Sequence, residues 1–125
     1  MRHLLLFASL IAVPALASAQ NMNAEEFHKR ATALQKKGAL ALFSGGEIKA
    51  LMNEGKASGE AARAQRQAAK NAGKPQRYCP PANTTSMDSN EFMKRLSAIP
   101  AADRQRITMT EATTRILSAK FPCPK

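Results

Sequence analysis

Asp88-Ser89-Asn90-Glu91-Phe92-Met93-Lys94-Arg95-Leu96-Ser97-Ala98-Ile99-Pro100 is the stretch whose reading decides the fold. Asp88 and Glu91 stand at D-x-x-E spacing, a capping box that gives partners to backbone N–H groups left open at a helix start. Met87 and Phe92 stand on either side of it as a hydrophobic staple. Phe92, Leu96 and Ile99 then recur at helical spacing. Pro100 ends the run, because the residue before a proline is pushed out of the helical region.

The same signature recurs outward in both directions. Asn23 and Glu26 predict a helix over 23–37, with Phe27, Ala31 and Leu34 inward and Lys29, Arg30, Lys36 and Lys37 outward. Gly38 is its stop. Residues 39–43 form a short apolar link expected to be buried. Ser44-Gly45-Gly46-Glu47 predicts the start of a second, longer helix. On it Ile48, Leu51, Met52, Gly55, Gly59, Ala62 and Ala69 lie near one face. Gly55 and Gly59 are one turn apart and would let another backbone approach closely; a break there is the competing reading, since each glycine costs about 1 kcal/mol in a helix interior. Gly73 is the expected stop, with Pro75 beyond it. Residues 76–85 read as a loop, residues 101–106 as one more helical turn. Thr108 and Glu111 open a last helix through Ala112, Ile116 and Ala119, flanked by Leu117. Capped helices without a strand pattern predict an all-α domain, a small bundle of about four helices.

The chain begins with a basic step, Arg2-His3, an uncharged apolar run over 4–16, and Ala17-Ser18-Ala19. That is the pattern of a secretory signal peptide over 1–19, cleaved after Ala19. The run is shorter than the roughly 20 residues a spanning helix needs, so no stable membrane anchor is expected. No cysteine near the cleavage point offers a lipid attachment. A periplasmic domain over 20–125 is the expectation, with room for one modest core. Cys79 and Cys123 then predict a single disulfide, because an exported chain with two cysteines has one pairing available. Paired free thiols are the alternative, weakened by the lack of a C-x-x-C motif.

Losing Arg2 takes the side-chain charge from +10 to +9. Such a charge suits anionic partners, and it also simply keeps a protein in solution. Arg63, Arg66, Lys70, Lys74 and Arg77 cluster toward the end of the second helix and the loop after it, with Tyr78 beside them. These six are the candidate partner-binding residues, suited to an acidic patch on a protein; a solvated helix face is the plain alternative. Nucleic acid is not expected, since Tyr78 alone could stack on bases there. No catalytic, cofactor or metal constellation is legible. His28 is a lone surface histidine without ligand spacing or a nucleophile partner. Ser44-Gly45-Gly46 reads as a cap rather than a phosphate cradle. Glu47, Glu54 and Glu60 read as solvated residues in i,i+4 charge pairs. No enzyme activity and no cofactor are expected.

Gly46-Glu47-Ile48 through Leu51, then Tyr78-Cys79-Pro80-Pro81, then Leu96, Pro100, Ala112, Leu117 and Phe121-Pro122-Cys123 follow an ordered pattern. In this order the chain resembles, over 44–123, the Rap/Tai family of periplasmic immunity proteins linked to type VI secretion. A second cysteine pair common in that family is missing here. The resemblance implies a small, helical, disulfide-bonded protein, often a homodimer, that binds and blocks a peptidoglycan amidase effector. The function expected is thus a non-catalytic periplasmic binding protein. The alternative is a basic envelope-stress or chaperone-like protein that binds anionic surfaces or unfolded chains.

Overall fold

The computed structural model describes residues 21–82 and 87–125. The leader expected over 1–19, its cleavage point, and residues 83–86 of the loop lie outside the described residues. Helix α1 is Ala24–Lys37, followed by a 3-10 turn, Gly38–Ser44, and by α2, Gly45–Asn71. After the loop come α3, Ser89–Ala98, a single turn α4, Ala101–Arg104, and α5, Met109–Lys120. The domain is an all-α bundle with one disulfide, as the capping pattern predicts.

Three of the four expected N-caps form. Asn23 Oδ1 accepts from Glu25 N and Glu26 N, Asp88 Oδ1 from Glu91 N, and Thr108 Oγ1 from Glu111 N. Ser44 does not cap. The 3-10 turn already feeds helical backbone into α2, so its hydroxyl accepts from Lys37 Nζ instead, at 3.3 Å. At its far end α2 closes as a Schellman motif on Gly73, φ +68°. Gly73 N donates to Lys70 O and Lys74 N to Ala69 O.

Two caps meet across the fold. Ala24 N donates to Ile107 O at 3.0 Å and Met109 N to Met22 O at 2.7 Å, an antiparallel bridge between Asn23 and Thr108. It joins the starts of α1 and α5. The core lies between them: Ala24, Phe27, Leu51, Met93, Leu96, Met109, Ala112 and Ile116. Phe92 stands edge-on to Phe27, ring centroids 6.2 Å apart. On α3 the deepest residues are Met93 and Leu96, while Phe92 and Ile99 flank the core half-buried. Ala119, expected inward, is exposed.

The face of α2 also differs from expectation. The helix runs unbroken through Gly55 and Gly59. Neither glycine meets another backbone: a Cβ added at either would find nothing within 4 Å. The buried row is Leu51, Glu54, Ser58 and Ala62, which shares a face at i, i+3, i+7 and i+11. Ser58 Oγ meets Thr113 Oγ1 of α5 at 3.0 Å. The helix packs through small and polar residues that a hydrophobic stripe does not register.

The 39–43 link, expected to be buried, is the most exposed apolar part of the described residues. Leu40, Leu42 and Phe43 are 65%, 81% and 89% exposed. With three residues per turn, Ala41 and Ser44 form the inward, half-buried row and Leu40 and Phe43 align on an outer one.

A second set of long-range bonds fixes the bundle. Arg104 is buried and donates through Nε to Glu25 Oε2 at 2.8 Å. Its Nη1 faces the carbonyls of Leu96, Ser97 and Ile99, which end α3. Glu54, expected in solvent, is buried and accepts from Met22 N at 2.7 Å.

Candidate functional site

The disulfide and the second half of α2 build a cleft. Cys79 and Cys123 are bonded, with Cα atoms 4.8 Å apart, and Cys79 N donates to Phe121 O at 2.8 Å. These ties hold the loop against the end of α5 and seat Tyr78, 4% exposed, beneath α2. Helical spacing sends Arg63 and Arg66 toward the same place. The result is a cleft of about 520 Å³ whose walls include Arg63, Arg66, Tyr78, Pro80, Leu117 and Phe121.

Its chemistry is cationic and aromatic. The Arg66 guanidinium lies over the Tyr78 ring, 5.3 Å from its centroid, a cation–π contact. Arg66 Nη1 reaches Gln76 Oε1 at 3.4 Å, and its buried Nε has no hydrogen-bond partner among the described residues. No carboxylate lines the cleft among the described residues. Five acidic groups are committed elsewhere: Glu25 to Arg104, Glu26 and Glu47 to Arg30, Glu91 to Lys120 and Arg95, and Glu111 to Arg77 and Arg115, while Glu60, one turn before Arg63 on α2, is exposed and in no ion pair among the described residues. Among the described residues no ion pair includes Arg63, Arg66, Lys70 or Lys74.

The six expected binding residues therefore separate. Arg63, Arg66 and Tyr78 come together. Lys70 and Lys74 extend the same basic run, exposed, at and just beyond the end of α2. Arg77 leaves it: its two Nη atoms bind Glu111 at 2.5 and 2.8 Å, stapling the loop to α5. That hydrogen bonding holds the Glu111 carboxyl below the usual carboxylate range and raises Arg77. Tyr78 serves as buried platform rather than exposed contact.

Of the three carboxylates read from sequence as solvated i,i+4 partners, Glu60 is exposed and in no ion pair among the described residues, and the other two pair otherwise. Glu47 binds Arg30 of α1 through both oxygens, at 2.6 and 2.8 Å, and Glu54 binds backbone. His28 is half-buried rather than a surface residue, with Nε2 2.9 Å from Ser97 Oγ. Burial, then repulsion from Arg104, lowers its pKa against the opposing pull of Glu25. Among the described residues no group of three or more His, Cys, Asp or Glu could hold a metal.

Sequence reasoning missed a second surface. An apolar groove of about 500 Å³ runs between α1, α2 and α3, with Leu34, Ile48, Met52 and Met93 among its walls and Lys56 at its edge. Met52, expected on the core face, is exposed. The 3-10 turn connects α1 to α2, two of the helices that wall this groove. Comparison with family models, curated proteins and solved structures gave no significant match for this chain.

Proposed function

We propose that this chain is a non-catalytic binding protein that occludes an acidic protein partner with the basic cleft of α2 and the disulfide loop. One observation carries the reading: Arg63, Arg66, Lys70 and Lys74 form a basic run that enters no ion pair among the described residues, beside an aromatic-lined cleft that no described carboxylate lines. Arginine and tyrosine are the side chains that most often dominate binding energy at interfaces. Exposed lysines along the approach speed association with an acidic surface. Taken with the resemblance to the Rap/Tai family, the partner is a peptidoglycan amidase effector. The setting is then the periplasm, with the leader removed after Ala19.

The test is recovery of periplasmic partners on the immobilised processed chain, followed by titration of any recovered enzyme. Peptidoglycan hydrolysis that falls to background at one equivalent supports the reading. Arg63→Glu with Lys70→Glu, both exposed, is expected to slow association about tenfold and flatten its salt dependence. Recovery of no enzyme, or inhibition indifferent to both substitutions, overturns it.

A further inference from the structure

Three exposed apolar side chains on one short turn call for a partner. Leu40, Leu42 and Phe43 project from the Gly38–Ser44 turn, where the end of α1 meets the start of α2. They do not line the neighbouring groove, and their high exposure makes them a projecting tip. Lysines frame the tip. Lys36 and Lys37 close α1, Lys49 stands on the first turns of α2, and all three are exposed. From residue 38 to residue 46 there is no acidic residue, and Glu47 is bound to Arg30.

We propose that this turn is a membrane-docking tip: Leu40, Leu42 and Phe43 enter the interface of an anionic lipid leaflet while Lys36, Lys37 and Lys49 hold its headgroups. Apolar side chains ringed by lysine are the composition of elements that lie in a lipid interface. Anionic leaflets attract basic segments next to their surface. Charge complementarity selects this occupant. A second copy would bring two lysine rings of a strongly basic chain together, and three side chains fall well short of the roughly 800 Å² per partner of a stable interface. An acidic helix would need a concave seat for its apolar stripe, which the tip does not offer. Docking would be peripheral, because none of the described helices is long and apolar enough to cross a membrane.

The tip is independent of the basic cleft, so the two readings fail separately. The experiment uses the protein as processed by the cell, its N-terminus read by mass spectrometry, and vesicle co-sedimentation. Vesicles are phosphatidylglycerol with phosphatidylethanolamine, one part to three, against pure phosphatidylcholine. Binding to the anionic vesicles is expected, weakening with salt and by about fivefold for each of Lys36 and Lys37 changed to Gln. Leu42→Glu with Phe43→Glu is expected to reduce binding at least tenfold while leaving the thermal melt unchanged. The chain has no tryptophan, so Phe43→Trp supplies a single reporter whose emission should shift to the blue on anionic vesicles. Arg63→Glu with Lys70→Glu should leave vesicle binding within about twofold. No binding to anionic vesicles, or binding insensitive to the Leu42 and Phe43 changes, overturns the proposal. A dimer in sedimentation equilibrium that those same changes dissolve also overturns it, assigning the tip to a second copy.

Discussion

Replacing Arg104 by methionine tests the account of how the bundle is held. The Arg104 side chain is 8% exposed and that of its partner, Glu25, 10%. Methionine keeps much of the bulk and removes the charge. Glu25 then remains a buried carboxylate without its 2.8 Å partner, and the carbonyls of Leu96, Ser97 and Ile99 lose their side-chain donor. Breaking a buried pair from one side costs about 3–5 kcal/mol. We expect about 4 kcal/mol at pH 7, a large share of the roughly 5–15 kcal/mol that holds a domain folded. Urea unfolding followed by far-ultraviolet circular dichroism measures it. Glu25→Gln alone should also destabilise, and the double variant should cost at least about 1 kcal/mol less than the two together, because the residues are in contact. The pH dependence has a definite sign. The Arg104 hydrogen bond holds the Glu25 carboxyl below its ordinary value, against burial. In the native protein that contribution is present above the unfolded carboxylate range and lost as pH falls through the lowered folded value. In Arg104→Met burial raises the Glu25 pKa against only the weaker pull of His28 and Lys29, so protonation relieves the variant as pH falls. The gap between the two proteins should therefore shrink from pH 7 to pH 4. A cost below about 1 kcal/mol at pH 7, or a gap unchanged by pH, would refute a buried ionised pair.

Other perturbations have equally definite directions. Reducing the disulfide, whose cysteines are 44 residues apart, should cost about 4 kcal/mol by the chain-entropy relation, read as the shift in urea midpoint with and without reductant. A change under about 1 kcal/mol would mean that other contacts carry the loop. Gly55→Ala and Gly59→Ala should each stabilise by up to about 1 kcal/mol, since the added methyl meets nothing within 4 Å. A loss of stability in either melt would restore the close approach read from sequence. Gly73→Ala should destabilise by about 1 kcal/mol, because its left-handed φ of +68° penalises a Cβ. Glu54→Ala should cost about 1–3 kcal/mol by leaving Met22 N without its acceptor, measured by the same urea titration.

Helix starts were legible where the chain enters from extended backbone. Asn23, Asp88 and Thr108 each sit in the extended region and cap. Ser44 carries the same motif and does not, because helical turns precede it; a motif records residue types and not the direction of entry. The disulfide was legible from the leader-like pattern of the first residues and a count of two. The inward face of α2 was not, since half of its buried row, Glu54 and Ser58, is polar and satisfied by partners 32 and 55 residues away. Arg104 carries no local mark either, its carboxylate lying 79 residues back. At the site, Arg63 and Arg66 were legible by helical spacing. Arg77 was drawn into the same cluster because its partner, Glu111, is 34 residues distant and unrelated in pattern. The exposed turn was misread for a different reason: hydropathy names a residue's preference, and the three-residue period decides which side of the turn meets it.

The two proposed surfaces have a geometric relation that constrains both. Arg66 lies 21 residues beyond the first residue of α2, Gly45, which at about 1.5 Å per residue is about 30 Å along the axis. The turn and the cleft thus stand near opposite ends of one continuous helix. A leaflet bound at the turn would leave the cleft open toward solution, so both could be occupied at once. Such an arrangement would restrict the search for a partner to the neighbourhood of a surface without adding a contact to the interface itself. Its signature would be an apparent gain in inhibition on vesicles that Leu42→Glu with Phe43→Glu abolishes and that leaves affinity in free solution unchanged. Inhibition by the unmodified protein that is equal with and without anionic vesicles would break the link between the surfaces while leaving each to stand on its own test.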